Sequence, residues 1–484
     1  MRAFVLVLVA FSSSAQGGGD GPSMPALVTP EEVAGVEKRL MDRVENNRER
    51  RCPRPVLGGA SVPGSGRELV AAVVEGDALA SPCAIRAEVL RDLLTREAIA
   101  EWRRDPSSIP PAVQQGLHAC EAVSARVVEA VTHEDVCSPY RPGVRPAPAL
   151  LGFVRRSKLA ILGVRVRHDP AHPLDTITAL LAWAQLTQDL QRGGGTLLPT
   201  LVGVASFQGE VVPTLRWALE EGGLDAGVLR RVASDLGDLL DSEPSLGPAL
   251  TGDPDTMLLQ VVLPALKGSG YVPPGGWEDG YGPAPGGAAV RPLVGATYLV
   301  SPQVEQGLLA VAFDEIGRQE REACPEAGTV LACRTRLSDL AVSRAARVKG
   351  LSTWRLGLRI LVSGDMVREI REIVIDILAS IALPAFHKYI DRIAERAFSL
   401  AALRIHALVL AASIADGGCP APEELTGAAW EPVLRDPVFG GQLGVERIDG
   451  GYAITPASWF EARPDGDGEG SWRYEFRCTT PSAG

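Results

Sequence analysis

Aromatic residues are scarce in this chain: Phe, Trp and Tyr make up 5% of 484 residues, while 46% are hydrophobic, and Ala, Leu and Val dominate that share. Strands of an all-β sandwich draw on aromatic and β-branched side chains, so this mixture favours packed helices. Positive charge is also short, with 48 Lys and Arg against 59 Asp and Glu, a net charge of -11 and a pI near 5.3. Nothing here would neutralise a run of phosphates, which speaks against nucleic acid as a partner, and the acidity favours solubility. No Cys-x-x-Cys pair occurs, which disfavours a zinc ribbon or a thioredoxin-like centre. No Gly-rich loop ends in Lys-Ser or Lys-Thr to cradle phosphates.

Near misses complete the inventory of absences. Gly59-Ala60-Ser61-Val62-Pro63 fails the nucleophile-elbow pattern at its last position. His133-Glu134 lacks the second histidine of a metalloprotease helix, because position 137 is Cys. His168 and His172 are four apart, but Pro170 and Pro173 argue against a helix that would aim both at one ion, and no third ligand accompanies them. A solvated loop is the expectation there.

What is present begins with MRAFVLVLVAFSSSAQ. Arg2 forms a positive n-region, Ala3 to Phe11 an apolar h-region too short to span a bilayer, and Ser13-Ser14-Ala15 a small-residue cleavage site. Export is therefore expected, to the periplasm or beyond, with residues 1–15 removed and 16–28 a Gly- and Pro-rich linker. The eight cysteines, an even number, then read as disulfides. Cys419 with Cys478 is the leading pair, because it would close the last part of the chain. Cys324 with Cys333, and Cys120 with Cys137, follow from proximity alone.

Helical signals fill most of what remains. Thr29-Pro30-Glu31-Glu32 provides an N-cap, Pro at the first helical position and Glu at N3, followed by Val33, Val36, Leu40 and Val44 on one face. Similar patterns occupy 84–102, 111–131, 149–162, 174–190, 196–221 and 225–239. A first helical domain spans 29–267, a Gly/Pro-rich loop spans 268–288, and a second helical region covers 289–396. Tyr271, Trp277 and Tyr281 stand in that loop either to pin it or to grip a ligand. Pro384 predicts a kink or break in an apolar run. Residues 397–415 are nearly all apolar, yet Arg404 and His406 sit among them, and Arg costs about 2.5–3.5 kcal/mol at a bilayer centre. A buried core helix fits better than a transmembrane span.

After Ala415 the pattern changes to short alternating runs. In RDPVFGGQLGVERIDGGYAIT, Asp436-Pro437 starts a turn and Gly440-Gly441 permits positive φ. Residues 442–448 form a strand, Asp449-Gly450-Gly451 a hairpin turn, and Tyr452 opens the return strand. Turn chemistry accounts for each polar residue in the stretch. Asp465-Gly466-Asp467-Gly468-Glu469-Gly470 resembles the first half of a calcium loop, with Asp465, Asp467 and Glu469 as candidate ligands. The twelfth position is Phe476 rather than an acid, so an acidic hairpin turn stands beside calcium as the alternative.

The helix 397–415, Cys419-Pro420 with Glu423-Glu424-Leu425, Asp436-Pro437-Val438-Phe439-Gly440 and the acidic run 465–470 together resemble the C-terminal part of type II secretion major pseudopilins. That resemblance covers roughly the last fifth of the chain and implies a helix followed by a small antiparallel sheet. No prepilin-peptidase signal precedes an apolar helix. The segments DTITALLAWAQLTQDLQ and LPAFHKYIDRIAERAFSLAALRIHALVLA are similar to exported helical proteins of planctomycete and myxobacterial type, a resemblance that carries no activity.

The expected fold is mainly α, a multi-helix array or bundle ending in a small antiparallel β unit at 397–484. The expected role is a non-enzymatic binding or structural component of the cell envelope, whose partner is an envelope protein or ligand. The rival expectation is an exported hydrolase using carboxylates in an inter-helical cleft. Calcium is the one cofactor considered.

Overall fold

The computed structural model describes residues 28–57, 61–76, 81–90, 92–145, 150–245, 247–264, 302–325, 330–348, 366–421, 423–426, 430–456 and 472–478. The protein is mainly helical, with a small three-stranded antiparallel sheet near its C-terminus.

Helix α1 (Pro30–Glu49) starts with the capping box its sequence announces. The Glu32 N–H donates to Thr29 Oγ1 at 3.3 Å, and the Thr29 N–H donates to Glu32 Oε2 at 2.8 Å. Six helices follow: α2 (Arg67–Glu75), α3 (Ser81–Val89), α4 (Arg96–Arg104), α5 (Pro111–Ala119), α6 (Glu121–Val131) and α7 (Leu150–Val166). Two of the expected long helices are thus each divided. The 84–102 pattern is split between α3 and α4, where Thr95 caps a new start by accepting from the Ala98 N–H. The 111–131 pattern breaks at Cys120, which leaves the α5 axis and is bonded to Cys83. Strands β1 (Val62–Ser65) and β2 (His133–Asp135) pair in parallel beside α6.

Helices α8 (Pro173–Asp189), α9 (Leu197–Ser206), α10 (Val212–Glu221) and α11 (Ala226–Asp241) form the centre. A π-helical turn at Phe207–Val211 joins α9 to α10 and absorbs the disturbance of Pro213. The Asp225 side chain caps α11 by accepting from the Val228 N–H at 2.8 Å. Beyond these lie α12 (Gly247–Met257), α13 (Pro302–Ala323), α14 (Val330–Val348) and α15 (Met366–Asp416).

Helix α15 continues through Pro384, where a kink or break is expected, so the chain does not break there. An internal proline costs about 3 kcal/mol or more. Packing on both sides opposes that cost, with Ile375 and Ala379 buried before it and Ile390 and Ile393 after it. The expected boundary between 396 and 397 falls inside this helix, and the loop 268–288 lies outside the described residues. Within α15, Tyr389–Asp416 is long and apolar enough to cross a membrane, and 78% of its most apolar window is buried in the protein, as in a core helix.

The C-terminal sheet contains β3 (Leu443–Ile448), β4 (Gly451–Pro456) and β5 (Tyr474–Arg477), in that order. β3 pairs with β4 from Leu443↔Pro456 to Ile448↔Gly451, and β4 pairs with β5 from Gly451↔Arg477 to Ile454↔Tyr474. Asp449-Gly450 makes the hairpin turn, with Gly450 alone at positive φ (72°). Tyr474 and Phe476 face inward while Glu475 and Arg477 alternate outward. One continuous core runs from Val70 through α8, α11 and α15 to Cys478, so the sheet caps the helical body instead of standing apart.

Four disulfides close the chain: Cys52–Cys137, Cys83–Cys120, Cys324–Cys333 and Cys419–Cys478. The expected Cys120–Cys137 bond is corrected. Helix α6 fills the interval between these two residues, and its 11 residues span about 16 Å at 1.5 Å each. A disulfide needs Cα atoms about 4.4–6.8 Å apart, and each cysteine finds such a partner elsewhere, at 4.6 Å for Cys83–Cys120 and 5.1 Å for Cys52–Cys137.

Candidate functional site

The arrangement with most chemical potential is a cleft of about 310 Å³ between the C-terminal half of α1, the start of α12 and the end of α13. Helix α1 buries Val36, Leu40 and Val44; Arg39, Arg43 and Asn46 run along one edge of that apolar stripe, Asn47 continues it at the C-terminal end, and Arg50 is the C-cap. Arg43 makes a bidentate pair with Asp255 of α12 (Nε–Oδ2 3.0 Å, Nη2–Oδ1 2.8 Å) and reaches Asp314 of α13 at 3.1 Å. Arg39 holds the other oxygen of Asp314 at 2.6 Å. Asp314 and Arg321 lie seven residues apart on α13, so they share a face of it.

Arg43, Arg50 and Arg321 line the cleft together with Asn46, Asn47 and Asp255. Burial pulls Arg43 down, but the hydrogen bonds and charges of Asp255 and Asp314 carry its pKa above the usual value. Arg321 has no such clamp. Burial, and then the charge of Arg43, hold its pKa below the ordinary range. It forms no ion pair within 4 Å among the described residues.

Three acids gather here, Asp255 in the wall and Asp253 and Glu320 behind it. Asp253 accepts the Leu197 N–H at 3.0 Å and so caps α9, while burial pushes its pKa up to about 6. Asp255 is raised by burial against the pull of Arg43. Glu320 is fully buried, and neither of its carboxylate oxygens has a hydrogen-bond partner among the described residues. Its pKa stands well above the ordinary value through desolvation and the neighbouring Asp253, which favours the protonated form.

The walls depend on close backbone contact. A Cβ at Gly247, the first residue of α12, would come within 2.0 Å of the Cys324 carbonyl oxygen, so only glycine lets α12 meet the end of α13. The Cys324–Cys333 bond fixes that end of α13 to α14. On the neighbouring loop Gly193 has φ +72°, and a Cβ there would strike Cys52 Sγ.

The sequence motifs fall elsewhere. His168 and His172 lie in a loop: His168 Nδ1 meets Thr176 Oγ1 at 3.0 Å and His172 Nδ1 meets Asp169 Oδ2 at 2.8 Å, so each is occupied locally. His133 and Glu134 belong to β2. Asp436 is a turn residue, as expected: its Oδ1 accepts from the Val438 and Phe439 N–H groups at 2.8 and 2.9 Å. Asp465, Asp467 and Glu469 lie outside the described residues, as do Tyr271, Trp277 and Tyr281. Among the described residues no group of three or more His, Cys, Asp or Glu side chains is placed to hold a metal. The sequence allows an inter-helical cleft but names none of the residues that line this one. The cleft's one local signal is the polar stripe Arg39, Arg43 and Asn46 on α1 with Arg50 at the C-cap, a stripe that an ordinary solvated helix face also shows.

No protein-family model matches this chain, and no solved structure matches it. The chain is similar to a DNA mismatch repair protein MutS of Caulobacter sp. (strain K31), at 33% identity over 172 residues. That segment is 31% of this chain, which spans about a fifth (19%) of the relative's length.

Proposed function

We propose that this is an exported, non-enzymatic protein of the cell envelope that binds or scaffolds a partner. The observation that carries the reading is the C-terminal unit. The end of α15 packs on a three-stranded antiparallel sheet, and Cys419–Cys478 ties the helix exit to the last strand. That arrangement is what a pseudopilin-like tail calls for, and four cysteine pairs fit an oxidising compartment. The partial likeness to a DNA mismatch repair protein does not enter this reading, because a net charge of -11 gives DNA little to hold. Cell fractionation with N-terminal mass analysis tests the proposal: mature protein beginning near Gln16 supports export. Uncleaved, fully reduced protein in the cytoplasm overturns it.

A hydrolase is the second reading, and Asp255 in the cleft wall with Asp253 and Glu320 behind it favours it, since perturbed carboxylates beside a cleft are a signature of acid–base sites. Turnover of ester, peptide or glycoside probes that Asp255→Asn abolishes would establish it. Equal background rates for both proteins would remove it.

A further inference from the structure

We propose that the cleft between α1, α12 and α13 binds a small molecule through its oxyanion, a phosphate or a dicarboxylate, held by Arg43, Arg50 and Arg321. This deepens the binding reading above and rests on it. The lining carries three guanidinium groups against one carboxylate, Asp255, and that carboxylate is already clamped to Arg43. Two arginines in this region lack an ion pair within 4 Å among the described residues. One is Arg321 in the wall. The other is Arg141, next to the lining residue Pro142. It is 1% exposed and donates Nε to the Ser138 carbonyl at 3.0 Å, while Nη1 and Nη2 have no hydrogen-bond partner among the described residues.

A buried, uncompensated guanidinium is costly unless a counter-charge reaches its field. Burial first, and then the charges of Arg67 and Arg50, push the pKa of Arg141 down to about 10 against the opposing pull of Asp135. The start of α12 adds positive potential, since Gly247 and Pro248 line the cleft and a helix N-terminus carries partial positive charge. The Asn46 and Asn47 amides, also in the lining, offer neutral donors that complete an oxyanion's hydrogen bonds. A volume of about 310 Å³ exceeds the needs of a bare ion and sits at the lower end of small-molecule sites.

The test is thermal unfolding and titration calorimetry of the full mature protein with inorganic phosphate and, separately, with succinate, each against sodium chloride at matched ionic strength. Binding to the folded form raises the melting temperature. Arg321→Gln should weaken the anion at least about tenfold, as expected for loss of a charge-assisted contact. Arg104→Gln, exposed on α4, should leave binding unchanged. If Arg321→Gln does not fold, Asn47→Leu on the part-exposed face of α1 reads the same loss. A response to phosphate alone assigns a phosphate ligand, and a response to succinate alone assigns a dicarboxylate. No response to either anion, or one that neither Arg321→Gln nor Asn47→Leu reduces, overturns the site. Export is read from fractionation, so each proposal can fail without the other.

Discussion

The C-terminal sheet and the arginine-lined cleft bury polar groups in opposite ways. Under the sheet, His406 and Tyr474 are kept neutral. His406 of α15 is fully buried, stacks on Phe476 at 4.2 Å and meets the Tyr474 hydroxyl at 3.1 Å, and burial followed by the charge of Arg216 holds its pKa well below 6.5. Tyr474 is likewise held protonated by burial. In the cleft the guanidinium groups stay charged and are only partly matched. A neutral pair that shares one hydrogen bond carries little desolvation cost, even with His406 Nε2 left without a partner among the described residues, and this suits a region whose task is to be closed. Uncompensated charge is expensive to bury, and its field persists into the neighbouring solvent-filled space. The two regions therefore differ in what they are built to do.

Several substitutions sharpen that difference. The largest effect should come from the staples. Removing Cys419–Cys478, with a sequence separation of 59, should cost about 4 kcal/mol in the loop-entropy account, whereas Cys324–Cys333, separated by 9, should cost about 2.7 kcal/mol. Denaturant unfolding of the paired Cys→Ala variants compares them, and a costlier cleft staple would reverse the ranking.

Next in size is the opposite response of the two regions to pH. Asp253 has its folded pKa raised from 3.8 to about 6, so the native state binds more protons and stability falls as pH rises across that interval. Asp253→Asn keeps the acceptor for Leu197, and should stabilise the protein by up to about 3 kcal/mol above pH 6 and by little near pH 4. Glu320→Gln should act in the same direction. His406 has the reverse sign: its depressed pKa supplies stability that is complete above 6.5 and is lost as pH falls below it. His406→Asn should flatten that acid limb. Stability curves against pH would separate the two regions, and one common slope would erase the contrast.

The smallest effect belongs to a single hydroxyl. Tyr452 donates to the Pro420 carbonyl, joining β4 to the segment after α15. Tyr452→Phe should cost about 1 kcal/mol in denaturant unfolding.

Legibility in the sequence follows the same division. The C-terminal unit could be read because its signals are local: Asp436-Pro437 and Asp449-Gly450 fix turns within four residues, and period-two burial marks β5. The Thr29 capping box is equally local, and it formed. The cleft joins residues more than 200 positions apart, Arg43 with Asp255 and Asp314, and no periodicity in either segment announces the other. The Cys120 pairing failed for a related reason. Nearness in sequence said nothing of the rigid helix that separates Cys120 from Cys137, and the true partners, Cys83 and Cys52, are set by how helices stack.

The capping glutamate of α1 also reaches across the whole protein. Arg371 of α15 holds both Glu32 oxygens at 2.6 and 2.7 Å, over a separation of 339 residues. During synthesis α1 is therefore complete long before its partner exists, and the core that begins at Val70 stays open until Phe476 and Cys478 arrive. A chain built this way cannot finish folding piece by piece from its beginning. Its early helices must remain soluble with apolar faces uncovered, a task for chaperones, until the last strand closes the lid over α15.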